Sequence, residues 1–324
     1  MKVGLLLPHF GRHATSSRLV DRVARIDALG YDSVWVRDHL VYRPHSFEDQ
    51  DATFIEAFTA LAAAAACTSR LILGTATLIP FRHPIHSALH LSSLTTYVPA
   101  ERLIIGWGRG YDASEFAAIG GPWRQRGALL EEHVDVIRKL ATGEPVTHHG
   151  RYYSFENVRI HAPDGPIRFW YGGGTPRAME RTVNHFEGLL ASRMPASILS
   201  DRIELLNSLA RDAGRRTPSI GLVTLVSPGR TLEDALTPLD VDRIGGEIER
   251  RFPGRSWDVR TGFDGVVIAG PPDHMAEQLS RFEAIGVEHF VIDLRARFEE
   301  WESFIEEIAD TLLPLVQRTP RRET

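Results

Sequence analysis

Ser16-Ser17-Arg18-Leu19-Val20-Asp21-Arg22-Val23-Ala24-Arg25-Ile26-Asp27-Ala28-Leu29-Gly30-Tyr31-Asp32-Ser33-Val34-Trp35-Val36 contains the unit from which the fold is read. Leu19, Val20, Val23, Ile26 and Leu29 recur at helical spacing and share one face, and Gly30 stops the helix. Residues 33–36 then form a short β-rich run. It lacks the alternation of a half-exposed strand, as expected when both faces are covered.

The same rhythm extends in both directions. Strands are predicted at 3–7, 33–36, 71–78, 103–106, 168–171, 188–190, 220–226 and 289–293. Helices are predicted at 16–29, 53–68, 85–97, 127–141, 176–184, 196–213, 272–285 and 299–316. Eight strand-then-helix units imply a parallel sheet of the α/β class, closed into a (β/α)8 TIM barrel. An open doubly wound sheet is the competitor, but no G-x-G-x-x-G follows the first strand.

Three insertions interrupt the rhythm, at about 37–51, 143–165 and 227–265. The second reads as a β-hairpin over 148–165, turning at Gly150. The first and third follow strands, so in a barrel they sit on the C-terminal, active-site face. The third, being the longest, reads as a lid. Residues 1–324 are expected to form one domain with a frayed tail at 317–324.

Composition narrows the class. Of 324 residues, 43% are hydrophobic, enough for a large core. A net charge of -5 does not draw the chain to nucleic acid or an anionic membrane. No run of about 18 apolar residues exists to span a bilayer. The first apolar run is too short for a signal segment, so a cytoplasmic location is expected. Cys67 is the only cysteine, so no internal disulfide forms; its Ala-rich surroundings suit a small buried hydrophobe.

Four constellations could carry chemistry. Trp35-Val36-Arg37-Asp38-His39 puts an imidazole just past the second strand, where barrel enzymes place catalytic groups. The bland alternative is a loop histidine packed on Asp38. Gly74-Thr75-Ala76-Thr77 lets a flat ligand or another backbone come close, or serves tight barrel packing. Gly106-Trp107-Gly108-Arg109-Gly110 follows the fourth strand; Arg109 is a fork for phosphate or carbonyl oxygens, or a surface arginine on a turn. Gly172-Gly173-Gly174-Thr175-Pro176 opens a helix, so main-chain N–H groups and the helix dipole favour an anion there. Thr175 suits both capping and phosphate binding. His83, His86 and His90 lie along one helix but lack a matching carboxylate, so they read as a packed or solvated face, not a metal site.

Taken together these pieces resemble the bacterial-luciferase-like superfamily of flavin- or deazaflavin-dependent oxidoreductases. The resemblance spans about 2–315 and runs through Gly30-Tyr31-Asp32-Ser33-Val34-Trp35, Asp38-His39, Gly74-Thr75-Ala76-Thr77, Phe81-Arg82-His83-Pro84, Glu101-Arg102 and the Gly106–Gly110 turn to Glu115-Phe116. It continues through Arg126 with Glu131, Gly150-Arg151-Tyr152-Tyr153, the Gly172–Thr175 turn, Gly270-Pro271-Pro272-Asp273 and Gly286-Val287-Glu288-His289. It implies a barrel with the cofactor ring at its mouth and a catalytic His39. Cofactor contacts would come from Asp38, Thr75, Ala76, Thr77, Gly108, Arg109, Gly172, Gly173, Gly174 and Thr175, with a non-proline cis peptide at Ala76–Thr77.

Coenzyme F420 is the favoured cofactor, with FMN second. F420-dependent hydride transfer on a small organic substrate is therefore expected. A reduced-FMN monooxygenase and a non-catalytic flavin-binding protein are the alternatives, and no metal is expected. The resemblance allows a homodimer and a separate flavin or F420 reductase as partners. The chain departs from the pattern at Thr96, where many relatives have aspartate, and at Tyr111, where sugar-phosphate dehydrogenases of this type carry a glutamate acid.

Overall fold

The computed structural model describes residues 1–40 and 54–317. Eight parallel strands close into a ring: β1 (Lys2–Leu6), β2 (Ser33–Val36), β3 (Ile72–Leu78), β4 (Leu103–Gly108), β7 (Arg168–Gly172), β8 (Gly188–Ser192), β9 (Ser219–Pro228) and β11 (His289–Asp293). β11 pairs with both β1 and β9, and β8 with β9, so no barrel edge is left open. The (β/α)8 barrel is thus the architecture, and the open doubly wound sheet is ruled out.

The ring is filled by one large residue from each strand. Leu6, Trp35, Ile72, Ile104, Trp170, Leu190, Val223 and Val291 form a single inner cluster. Trp35 and Trp170 lie 6.1 Å apart between ring centroids. Gly74 is required here: a Cβ on it would stand 2.3 Å from the Trp35 ring. The packing reading of that glycine therefore accounts for it. Beneath the tryptophans, Ser33 Oγ bridges the Trp35 indole N–H and the buried His289 Nε2 at 2.8 and 2.6 Å. Outward-facing strand residues join the helices in the main core.

The hairpin is β5 (Val146–His149) with β6 (Ser154–Val158). The half-buried Glu132–His148 contact and main-chain N–H bonds to Glu132 from Arg151, Tyr152 and Tyr153 fix its turn to the barrel's helix Arg126–Leu140.

The third insertion differs from the loop that its Pro, Gly and mixed charges suggest. It contains helices Leu232–Leu236 and Val241–Arg251, capped by Thr231 and Asp240, with Ile244 and Ile248 buried. It ends in a strand that the sequence reading missed, β10 (Val267–Gly270). β9 is ten residues long. Its middle pairs with β11 and its outer end, Leu225–Pro228, pairs with β10. A four-residue apolar run between glycines carries too little pattern to be distinguished from a loop.

Of the first insertion, residues 41–51 lie outside the described residues, as does the expected tail beyond Gln317. No helix among the described residues is long and apolar enough to cross a membrane.

Candidate active site

A cavity of about 530 Å³ opens at the C-terminal ends of the strands, a volume suited to a cofactor or small ligand. Its floor is the top of the inner cluster: Leu6, Leu190 and Val223 line both. The last residues of β1, β4, β7 and β8 reach it, so the strands aim their exits at one point.

His39 lines this cavity three residues beyond β2. Its Nδ1 lies 3.2 Å from Oε1 of Glu115, which is only 1% exposed. The same oxygen accepts the Leu40 main-chain N–H at 2.8 Å. A carboxylate only accepts, so Nδ1 carries the proton and Nε2 is left as the basic nitrogen. Phe54 packs against one side of the imidazole and Tyr111 meets it edge-on, with centroids at 5.2 and 5.8 Å. Tyr111, standing where a glutamate acid was noted as missing, is 63% exposed at the cavity lip. Thr96, the other departure, bonds to its own helix end through Ser93 O, away from the cavity lining.

Glu115 was not singled out for a role by sequence, although Asp112 signals its position. Asp112 caps the short helix Ala113–Ala118 and so turns Glu115 inward.

The glycine-rich turn lies on the same cavity. Gly172, Gly173 and Gly174 line it, and helix Pro176–His185 begins directly after them. Among the described residues, no protein acceptor takes the N–H groups of Gly173, Gly174 or Thr175. Side chains are excluded from this turn: a Cβ on Gly172 would stand 2.5 Å from Thr77 Cγ2, and one on Gly173 2.6 Å from the Tyr171 ring. Arg202 Nε donates to Gly174 O at 3.1 Å and braces the turn from behind. Unclaimed amides at a helix N-terminus fit a phosphoryl group. Thr175 does not line the cavity; its Oγ1 accepts from Ala178 N at 3.2 Å as the helix cap.

Ala76 and Thr77 line the cavity, and the peptide between them is cis. The β3–β4 register slips at that point, between Thr75 and Leu78. Thr75 is fully buried, and its hydroxyl donates to Gly106 O at 2.8 Å, so it stays out of the lining. Asp38 touches the cavity, but both of its oxygens are taken by Arg82 at 2.8 Å and one also by Ile79 N at 3.1 Å. It ties the exits of β2 and β3 together.

Gly108 and Arg109 line the cavity at the exit of β4, with Arg109 exposed. Arg126 lies flat on Trp123, 3.6 Å from guanidinium carbon to ring centroid, and donates to the carbonyls of Gly110 and Trp123. Burial first, and then the charge of Arg109, lower its pKa.

The far wall is also basic. Arg193 follows β8, Arg295 follows β11, and Glu247 and Arg251 come from the insertion helix. Arg193 and Arg295 could have been flagged by the barrel rule, since each follows a strand's C-terminal end. Glu247 and Arg251 carry no such signal. The histidines at 83, 86 and 90 lie apart from the cavity: His83 Nδ1 accepts Ile85 N, and His90 stacks on Phe58 at 4.7 Å. Among the described residues no cluster of His, Cys, Asp and Glu has the makings of a metal site.

This geometry has relatives. The family model for luciferase-like monooxygenase matches residues 1–289. An F420-dependent glucose-6-phosphate dehydrogenase of Intrasporangium calvum is 27% identical over 91% of this chain and 93% of its own. Its counterpart from Beutenbergia cavernae is 28% identical over 91% and 92%. Among solved structures, an F420-dependent secondary alcohol dehydrogenase bound to an F420-acetone adduct superposes with a TM-score of 0.79 at 20% identity, covering 97% of this chain and 98% of the other. The barrel, the cis peptide on its third strand and the match along nearly all its length lead to one assignment: the chain belongs to the luciferase-like monooxygenase family and is an oxidoreductase.

Proposed function

We propose that the chain is an F420-dependent oxidoreductase that moves a hydride between the cofactor and a small organic substrate. The carrying observation is that the unclaimed amides of Gly173 and Gly174 and the imidazole of His39 face one cavity. The relatives named F420-dependent dehydrogenases support the choice of cofactor.

The amides of Gly173, Gly174 and Thr175 would hold the cofactor's phosphate, with the helix dipole behind them. Ala76 and Thr77 would support the ring, and Gly108 leaves room for Thr77 there, since a Cβ on it would stand 2.2 Å from Thr77 Oγ1. Arg109 offers an exposed guanidinium to polar groups of the ring or its side chain. When bound, a deazaflavin accepts or donates a hydride and activates oxygen poorly. His39 would take the substrate's proton at Nε2, or return it, while Glu115 keeps Nδ1 protonated. Asp38 and Thr75 act one step back by fixing the strand exits.

The proposal extends to a single functional domain, supported by the pairing of β1 with β11 and the Met1 ammonium on Glu283 at 2.8 Å. It also includes a cytoplasmic location, a homodimer, and a separate reductase to recycle the carrier.

Fluorescence titration tests it. F420 is expected to bind more tightly than roughly 100 μM, with FMN weaker. If neither binds, the proposal fails. If FMN binds and F420 does not, the reduced-FMN reading replaces it.

A further inference from the structure

A second cavity, of about 660 Å³, opens at the N-terminal pole of the barrel, the end away from the active-site cavity. Lys2, Arg168, Ser219 and His289 line it, and they are the first residues of β1, β7, β9 and β11. Trp170 of the inner cluster forms part of its wall.

His289 is only 2% exposed, and its ring is oriented from within the barrel. The Trp35 indole N–H donates to Ser33 Oγ at 2.8 Å, so the Ser33 hydroxyl hydrogen is left for His289 Nε2 at 2.6 Å. Gly4 makes room for this relay: a Cβ on it would stand 1.9 Å from Ser33 Oγ. Nε2 is therefore the acceptor, and Nδ1 carries the proton. That Nδ1–H has no protein acceptor among the described residues. Burial first, and then the charges of Lys2 and Arg168, lower the pKa of His289 to about 3. The ring is thus a neutral donor with two cations beside it.

Both cations are under-used. Arg168 donates from Nη2 to Glu101 O at 2.5 Å, while its Nε is buried without an acceptor. Lys2 has no carboxylate within ion-pair distance among the described residues. The acids on the same lining are engaged elsewhere. Asp32 Oδ2 accepts Val3 N at 2.8 Å, and Glu283 holds the Met1 ammonium at 2.8 Å. The exposed Glu288 accepts the Ser219 hydroxyl at 2.9 Å. Buried donors are nearly always satisfied, yet here an idle imidazole N–H, an under-used guanidinium and an ammonium share one cavity.

We propose that this pole is a second ligand site, which takes the phosphate group of a small phosphate ester on Lys2, Arg168 and His289 Nδ1. A tetrahedral phosphate offers oxygens to donors arriving from three separate strands, whereas a planar carboxylate suits a single fork. The cavity is larger than a bare phosphate needs, which leaves room for the organic remainder of the ester. The site goes beyond the proposed function and does not depend on it.

The test is a titration of the full histidine-labelled chain with inorganic phosphate at constant ionic strength, followed in ¹⁵N spectra. His289→Gln assigns the His289 signals. The His289 Nδ1 signal is expected to shift and saturate, and Lys2→Gln and Arg168→Gln should each weaken that response at least tenfold. His39 reports separately on phosphate entering the active-site cavity. F420 affinity should be unchanged in both variants, because neither residue lines that cavity. A His289 signal that does not move, that moves equally in both variants, or that responds equally to chloride overturns the proposal. Near-ultraviolet circular dichroism checks the fold; should Arg168→Gln be misfolded, the partly exposed Lys2→Gln decides alone.

Discussion

The imidazole Nδ1 of His39 stands 3.2 Å from Oε1 of Glu115, a residue 76 positions further along the chain. Neither residue's own loop specifies the contact; the barrel brings the exits of β2 and β4 together. The contact sets which ring nitrogen faces the cavity.

Glu115→Ala should therefore release the tautomer. In ¹⁵N spectra of histidine-labelled protein, wild type is expected to show His39 protonated on Nδ1, and Glu115→Ala a mixture. Glu115→Gln retains an acceptor oxygen and should restore the wild-type pattern. Loss of the buried carboxylate, which also leaves the Leu40 N–H unpaired, should cost about 1–3 kcal/mol in urea unfolding. A wild-type ring protonated on Nε2 would remove Glu115 from this role.

Gly172→Ala tests the glycine turn. The added methyl would meet Thr77 Cγ2 at 2.5 Å, against the face proposed to support the ring. F420 affinity should fall more than tenfold, about 1.4 kcal/mol, with near-ultraviolet circular dichroism preserved. Undiminished F420 binding would mean that the cofactor lies elsewhere.

Asp38→Asn separates a structural from a binding role. Asp38 is 4% exposed, and its carboxylate is committed to Arg82, whose own pKa rises chiefly through its bonds to Asp38 against the opposing effect of burial. Removing one partner of a buried pair should cost about 3 kcal/mol. Arg82→Lys, which cannot make the two-pronged contact, should lose a similar amount, and the double variant little more. Stabilities that simply add would show that the pair is not a unit.

Acid sensitivity follows from three buried histidines. Burial is the largest influence on each, holding His9 near about 4, and His133 and His289 near about 3, against an ordinary 6.5. The unfolded chain protonates them first, so below pH 6.5 it binds more protons than the folded one and stability falls with pH. Three such groups give a slope of roughly 4 kcal/mol per pH unit between about pH 6 and 4. The urea midpoint measured across that range checks this; a flat profile would contradict it.

The alternation of apolar runs and amphipathic helices was enough to read the barrel, because each βα unit is written locally. His39 and the triglycine turn were legible for the same reason: each follows a strand within a few residues. What escaped was non-local or short. The partner of Asp38 is 44 residues away and that of His39 is 76, and sequence spacing says nothing about either. Thr75 reads as a ligand contact until Gly106 is seen to take its hydroxyl. The insertion resembled an unstructured lid because the residues of its small core, among them Ala235, Leu239, Ile244, Ile248 and Phe263, are spread over several short elements with no long repeat.

β9 outgrows the barrel, and its free end is zipped to β10, with Gly229 N closing the base on Gly270 O at 3.2 Å. Everything between those two points forms a cassette that leaves the barrel at β9 and returns at β10. The Arg193–Glu247 ion pair on the cavity's far wall is thus half barrel and half cassette. Exchanging residues 229–266 between relatives would replace the acidic half while leaving the glycine turn, the cis peptide and the imidazole in place. Such an exchange would rewrite one wall of the cavity without disturbing the parts proposed to do the chemistry.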